Sequence, residues 1–227
     1  VVFVFPGQGS QWEAMGRGLM AESQVFSRTI ADCDAVFEPL TGWSLTAVLR
    51  GDDEAASLER VDVVQPALFA MTLGLSALWR SLGLEPSAVV GHSQGEVGAA
   101  VVAGALSLED AARVVVARSQ LVKRISGRGA MAVVELPVEQ MQSRLAPWAG
   151  KLSIAVVNTA SSTVVSGDID AVDAVVSQFE TESVYCKKVN VDYASHCEHV
   201  DDILDDLVAE LTGITPKTTS IPFYSTV

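Results

Sequence analysis

The chain opens on an apolar run, VVFVF, that breaks off at Pro6-Gly7-Gln8-Gly9-Ser10. An unbroken run of that kind, ended by turn residues, predicts a buried strand entering a glycine loop. Apolar positions then recur at helical spacing over 17–38 and 66–82, where Pro66 suits the first turn of the second helix and Gly83 closes it. A β-rich stretch over 88–91 predicts a second strand, which runs through GHSQG into the small-residue stretch EVGAAVVAGAL. Ser107-Leu108-Glu109-Asp110 fits a capping box and starts another helix, expected to run through Arg118 to about Lys123. Strand, helices, strand, helices is the grammar of an α/β domain with a mainly parallel sheet.

The grammar changes after Gly127-Arg128-Gly129. The pattern predicts a strand over 130–136, a helix over 138–146, strands over 152–158 and 162–166, a helix over 169–180 capped by Asp168, and a strand over 184–189. That is β-α-β-β-α-β, the split unit of ferredoxin-like folds. Residues 129–190 are therefore expected to form a ferredoxin-like small subdomain. Residues 1–128 and 191–227 are expected to form the large one, with a helix near 197–211 and a last strand over 221–225.

Composition narrows the function classes. With 227 residues, 49% of them hydrophobic and 19% charged, the chain can bury a large core. A formal charge of −13 argues against nucleic acid or an anionic membrane as the main partner, since either calls for a basic face. The acidic runs GDDE at 51–54 and DDILDD at 201–206 read as a solvated loop and helix face. Cys33, Cys186 and Cys197 match neither a zinc spacing nor a disulfide framework, which suits a reducing cytoplasm. The first residues lack the basic lead of a signal peptide, and Val63–Trp79 is interrupted by Gln65-Pro66 and Gly74, so no segment is expected to span a membrane.

The chemistry centres on GHSQG. A serine on a sharp strand-to-helix turn has its hydroxyl lifted out for attack on a carbonyl, and glycines at both ends permit the turn. The same string also fits a phosphate-binding or packing turn. A serine nucleophile needs a base, and the chain offers three imidazoles, His92, His196 and His199. His92 adjoins Ser93, where successive side chains diverge, so packing or orienting the elbow is its expected role. His199, beside Glu198, Asp201 and Asp202, reads as a solvated surface histidine whose removal should leave the rate nearly intact. His196, at the junction VDYASH, is the preferred base; the alternative is a histidine that caps a helix. An oxyanion hole needs two backbone N–H groups, one from Gln94 and another from the loop Gly7-Gln8-Gly9, unless that loop is only a turn. Arg118 lies among Val114, Val115, Val116, Ala117 and Leu121, so it must snorkel, pair with a structural carboxylate, or bind a planar anion.

Several motifs in order carry a resemblance: FPGQGSQW at 5–12, RVDVVQPALFA at 60–70, GHSQGE at 91–96, Arg118 in ARSQ, GRGAMAVV from Gly127, VNTASSTVVSG at 157–167 and VDYASH at 191–196. Together they resemble, across essentially the whole chain, the acyltransferase domain of modular type I polyketide synthases. The resemblance implies an α/β-hydrolase-like core with an inserted ferredoxin-like subdomain. It also implies a ping-pong transfer, in which Ser93 takes an extender acyl group from coenzyme A and passes it to the phosphopantetheine thiol of an acyl carrier protein. No cofactor or metal would be bound by the domain itself; acyl-CoA is the substrate, and the partners are the carrier protein and neighbouring synthase domains.

In that scheme His196 is the base, Gln8 and Gln94 give the oxyanion donors, and Arg118 binds the free carboxylate of the extender beside Gln65. A bidentate arginine rejects acetyl groups because they leave its charge without a partner. Malonyl-selective members carry His-Ala-Phe-His where this chain has Tyr193-Ala194-Ser195-His196, and a branched aliphatic residue at the position of Gln94. Ser195 in place of Phe frees room for an α-methyl, so methylmalonyl-CoA is expected over malonyl-CoA, with partial selectivity. Members of the family continue for several dozen residues past the PFYSTV-like strand and supply a backbone carbonyl to the catalytic histidine, so the resemblance implies further polypeptide beyond Val227. A serine hydrolase or thioesterase could share the elbow but would have no use for Arg118, and an idle interaction domain would not need Ser93, His196 and Arg118 together. Arg113, Arg118, Lys123, Arg124 and Arg128 form the densest basic cluster, which could dock an acidic carrier protein or simply complement a helix dipole.

Overall fold

The computed structural model describes residues 1–226. Its elements begin with β1 (Val2–Phe5), α1 (Arg17–Glu22), α2 (Gln24–Thr41), α3 (Leu45–Arg50), α4 (Val61–Ser81), β2 (Ala88–Gly91), α5 (Gly95–Val102) and α6 (Leu108–Val122). They continue through β3 (Gly129–Val134), α7 (Val138–Leu145), β4 (Leu152–Thr159), β5 (Ser162–Asp168), α8 (Ile169–Thr181), β6 (Cys186–Lys188), α9 (Asp201–Glu210) and β7 (Phe223–Tyr224). The chain separates into two compact units, one of residues 1–120 with the stretch from 210 onward, the other of residues 121–209.

In the first unit β1, β2 and β7 form a parallel sheet in that order. Phe3 pairs with Val89 and Val89 with Phe223, so these side chains share one face, and Phe5, Val89, Ala99 and Ala103 close a small core there beneath α5. Gly98 and the alanines of α5 let the helix approach closely: a Cβ on Gly98 would stand 2.9 Å from Thr72 Oγ1. The larger core joins Phe26, Ile30, Cys33 and Phe37 of α2 to Leu45, Val48 and Leu49 of α3, the apolar side of α4, and Ala111, Ala112 and Val115 of α6. Helix α4 is long and apolar enough to cross a membrane by length and composition, but it is mostly buried inside this core.

Three expectations for this unit change. The helix over 17–38 is two helices, because the Ser23 hydroxyl accepts a bond from Phe26 N–H (3.2 Å) and caps α2. Helix α4 starts at Val61, five residues before Pro66, so Pro66 lies inside it. The earlier start is favoured by burial of Val61, Val63 and Val64 and by the Arg60 guanidinium, which bonds both oxygens of buried Asp62 (3.1 and 2.7 Å). The last strand shortens to Phe223–Tyr224.

The second unit holds an antiparallel sheet in the order β4-β5-β3-β6. Together with α7 and α8 this is the β-α-β-β-α-β unit in ferredoxin-like strand order. Its core comprises Ala130, Ala132 and Val134 of β3, Met141 and Leu145 of α7, and Val172, Val175 and Phe179 of α8. Asp168 stands at the N-cap of α8, as expected, but its side chain makes no capping bond and pairs with His199 instead. The predicted helix over 197–211 is a short 3₁₀ turn, Glu198–Val200, followed by α9. The acidic run of α9 is exposed yet not merely solvated: Asp206 bonds Arg124, and Asp202 pairs with Arg128 at 2.9 Å.

Candidate active site

The serine elbow follows from two glycines that no other residue can replace without displacing backbone. A Cβ on Gly91 would stand 2.3 Å from Glu96 Cα, because the chain doubles back there from β2 into α5. A Cβ on Gly95 would stand 2.1 Å from the Phe5 carbonyl oxygen of the adjacent strand. Between them Ser93 takes φ 53°, in the left-handed region that non-glycine residues rarely occupy. Glu96 N–H bonds the Ser93 carbonyl (3.0 Å) and Gly95 N–H the His92 carbonyl (2.9 Å), tightening the entry to α5. Held this way, the residue sits where α/β-hydrolase folds present a nucleophile.

The glycine loop after β1 lies against the elbow. Gly7 is close enough that a Cβ would touch His92 Nδ1 at 3.3 Å and Ser93 Cβ at 3.5 Å, and Gly9 takes φ 134°. His92 continues the β1–β2 ladder through its N–H to the Phe5 carbonyl (2.9 Å), and its ring packs on this loop. Gln8 and Gln94 thus belong to two backbone segments that meet at Ser93.

Arg118 and Gln65, 53 positions apart in the chain, are in contact: Arg118 Nη1 donates to Gln65 Oε1 at 2.7 Å. Gln65 is buried on α4, so its amide oxygen is a fixed acceptor that orients the guanidinium on α6. One turn earlier on α4, buried Asp62 accepts from Arg60 and, at 3.4 Å, from Gln120 Nε2 of α6. Asp62 escaped the sequence reading, although it lies within RVDVVQP. The reading also passed over Glu96, whose Oε1 accepts from Ser225 Oγ (2.8 Å) and Thr226 N–H (2.7 Å) and ties the chain after β7 to the elbow helix. Only its place in the first turn of α5 hinted at a role.

In the second unit, His196 lies on the loop between β6 and the Glu198–Val200 turn and takes φ 57°. Tyr193 and Ala194 are buried, and Ser195 Oγ lies 3.3 Å from Met131 Sδ on β3. His199 is not the solvated histidine expected: its side chain is 16% exposed, and Nε2 lies 2.9 Å from Asp168 Oδ1. Among the described residues, four non-glycine positions have positive φ: Ala14, Ser93, Ser183 and His196. Strain of this kind clusters at functional positions. Two of the four are the serine and the histidine singled out by sequence.

Strand order, elbow and split β-α-β-β-α-β unit define an α/β-hydrolase-type core with a ferredoxin-like companion. Residues 2–227 match the acyl transferase domain family. The chain belongs to that family, in the form found in modular type I polyketide synthases. Similar proteins include the spectinabilin polyketide synthase system protein NorC of Streptomyces orinoci, 55% identical over 100% of this chain and 10% of NorC. Erythronolide synthase EryA3 of Saccharopolyspora erythraea is 50% identical over 100% of this chain and 7% of its own length. The chain therefore spans a tenth or less of these relatives. Among solved structures, the acyltransferase domain from module 8 of the salinomycin polyketide synthase is 46% identical with a TM-score of 0.97, over 100% of this chain and 53% of that one. The loading acyltransferase of the avermectin synthase is also 46% identical, with a TM-score of 0.96 over 99% and 72%.

Proposed function

We propose that this acyltransferase domain loads methylmalonyl units from coenzyme A onto a carrier protein through an ester on Ser93. Ser93 Oγ attacks the thioester carbonyl while His196 takes its proton, and the oxyanion accepts bonds from the backbone N–H groups of Gln8 and Gln94. Collapse expels the coenzyme A thiolate, which the imidazolium protonates. The phosphopantetheine thiol of the carrier protein then attacks the ester with His196 again as base, giving a new thioester and restoring the Ser93 hydroxyl. Each oxyanion donor is worth about 3–4 kcal/mol of barrier. The observation that best supports the scheme is the left-handed backbone at Ser93, held between two glycines whose Cβ positions are filled by backbone.

Arg118, steadied by Gln65 at 2.7 Å, serves as the fork for the extender's free carboxylate. Tyr193 and Ser195 line the room for the α-substituent, and Ser195 leaves the space that a phenylalanine would fill. One methyl group is worth ~1–3 kcal/mol, so methylmalonyl should be preferred over malonyl by roughly 5–150-fold rather than absolutely. Intact-mass analysis after mixing the protein with equimolar methylmalonyl-, malonyl- and acetyl-CoA tests this reading. Methylmalonyl adduct should dominate and acetyl adduct be scarce; a dominant malonyl or acetyl adduct would refute the proposed selectivity.

A further inference from the structure

Resting on the reading of His196 as base, we propose that His199 and Asp168 form a positioning device that holds the His196 loop in its strained conformation. A non-glycine residue in the left-handed region is strained and persists only where its surroundings over-determine it. At His196 those surroundings lie on both sides of the residue and converge on one end of the β3–β5 ladder. Before it, the Asp192 carbonyl accepts from Gly127 N–H at 2.5 Å, and the Asp192 carboxylate bonds the Ser126 hydroxyl. Ala194 is wholly buried against Gly129, where a Cβ would stand 2.4 Å from Ala194 Cβ. After it, the Cys197 carbonyl accepts from Val200 N–H at 3.1 Å, and His199 Nε2 lies 2.9 Å from Asp168 Oδ1, with the imidazole largely buried and the carboxylate half exposed.

Gly129 and Asp168 are cross-strand partners, the terminal pair of that ladder. Asp168 is itself fixed by its N–H to the Lys151 carbonyl (3.0 Å), and Gly167 before it has no room for a side chain. The two ends of the histidine loop therefore rest on one rigid base pair of the sheet. His199 reaches it with Nε2 alone, since Nδ1 is buried with no hydrogen-bond partner among the described residues. A glutamine, whose amide nitrogen can stand where Nε2 does, should serve equally well as donor.

The test compares His199→Ala, His199→Gln, Asp168→Ala and the double variant His199→Ala/Asp168→Ala with the parent chain, beside His196→Ala as reference. Single-turnover acylation from methylmalonyl-CoA and amide exchange over residues 193–200 are measured on the same samples. His199→Ala and Asp168→Ala should each acylate about tenfold more slowly, the order of one charge-assisted hydrogen bond, with KM nearly unchanged and faster exchange around His196. The double variant should be no slower than either single, and His199→Gln should recover the parent rate. A parent-like rate or parent-like exchange in His199→Ala beside a crippled His196→Ala overturns the positioning role, as does a glutamine variant as slow as the alanine one. Parent-like rates in both His199→Ala and His196→Ala overturn the assignment of the base itself, and the proposal with it.

Discussion

Gly95→Ala is the smallest change that should break the elbow. The added methyl would stand 2.1 Å from the Phe5 carbonyl oxygen and 2.6 Å from that of Pro6, whereas real Cβ atoms essentially never come within 3.0 Å of such atoms. Helix α5 or strand β1 must therefore move by about 1 Å, on the scale of what overpacking forces. The Phe5 oxygen already accepts from His92 N–H at 2.9 Å, so moving it disturbs the rung that holds the residue before Ser93. Overpacking against yielding side chains costs ~1–3 kcal/mol; against two backbone carbonyls the figure sits at about 3 kcal/mol or above. For a chain of this size that lowers the melting temperature by roughly 6–12 °C. A nucleophile displaced by about 1 Å should also lose ~10²-fold in acylation rate. Calorimetry and single-turnover acylation on one preparation read both effects, with Gly18→Ala as control because a Cβ there meets nothing within 4 Å. A Gly95→Ala protein that melts within about 1 °C of the parent and acylates at its rate would refute the account of the elbow.

Arg118→Ala should slow acylation by methylmalonyl- and malonyl-CoA by roughly 10–150-fold, the worth of a hydrogen bond to a charged group, and leave acetyl transfer unchanged; an equal fall for all donors would make Arg118 structural. Burial, with help from Asp32 and Asp34, pushes the Cys33 thiol up to about 12. The unfolded chain therefore loses this proton first, so stability from Cys33 is complete below pH ~9 and declines as pH rises toward 12, and Cys33→Ala should flatten that decline in calorimetric melts. Arg124 and Arg128 are ion-paired with Asp206 and Asp202, so these two arginines add little net charge toward a carrier protein. Arg124→Glu should slow transfer to the carrier by less than about twofold, with no added salt dependence; a large, salt-sensitive loss would restore that cluster as the docking face.

Local features were the most legible. Strong periodicity gave the helices and strands of both units, and GHSQG gave the elbow because a serine between glycines at a strand-to-helix turn is a local pattern, although the carbonyl that Gly95 accommodates belongs to Phe5 on a different strand. Helix α4 was read short because proline signalled a start, while burial of Val61–Val64 and the Arg60–Asp62 pair extended it upstream. Long-range pairings had no local signal. Nothing in the spacing of Asp168 and His199 distinguishes a half-buried hydrogen bond between them from a helix cap and a surface histidine. In the same way, the acids of α9 become ion-pair partners only once the fold brings Arg124 and Arg128 beside them. That Arg118 and Gln65 share a pocket follows only from the resemblance, and their contact only from the fold, since periodicity says that each is on a helix and not which helices meet.

The claim that Ser93 carries the acyl group is tested most directly by mapping it. The protein is mixed with methylmalonyl-CoA, quenched, digested and sequenced by mass, alongside Ser93→Ala. A methylmalonyl ester is expected on the peptide containing Ser93, discharged by a phosphopantetheine thiol and absent from the variant. An adduct on another residue, or one of undiminished yield in Ser93→Ala, would contradict it.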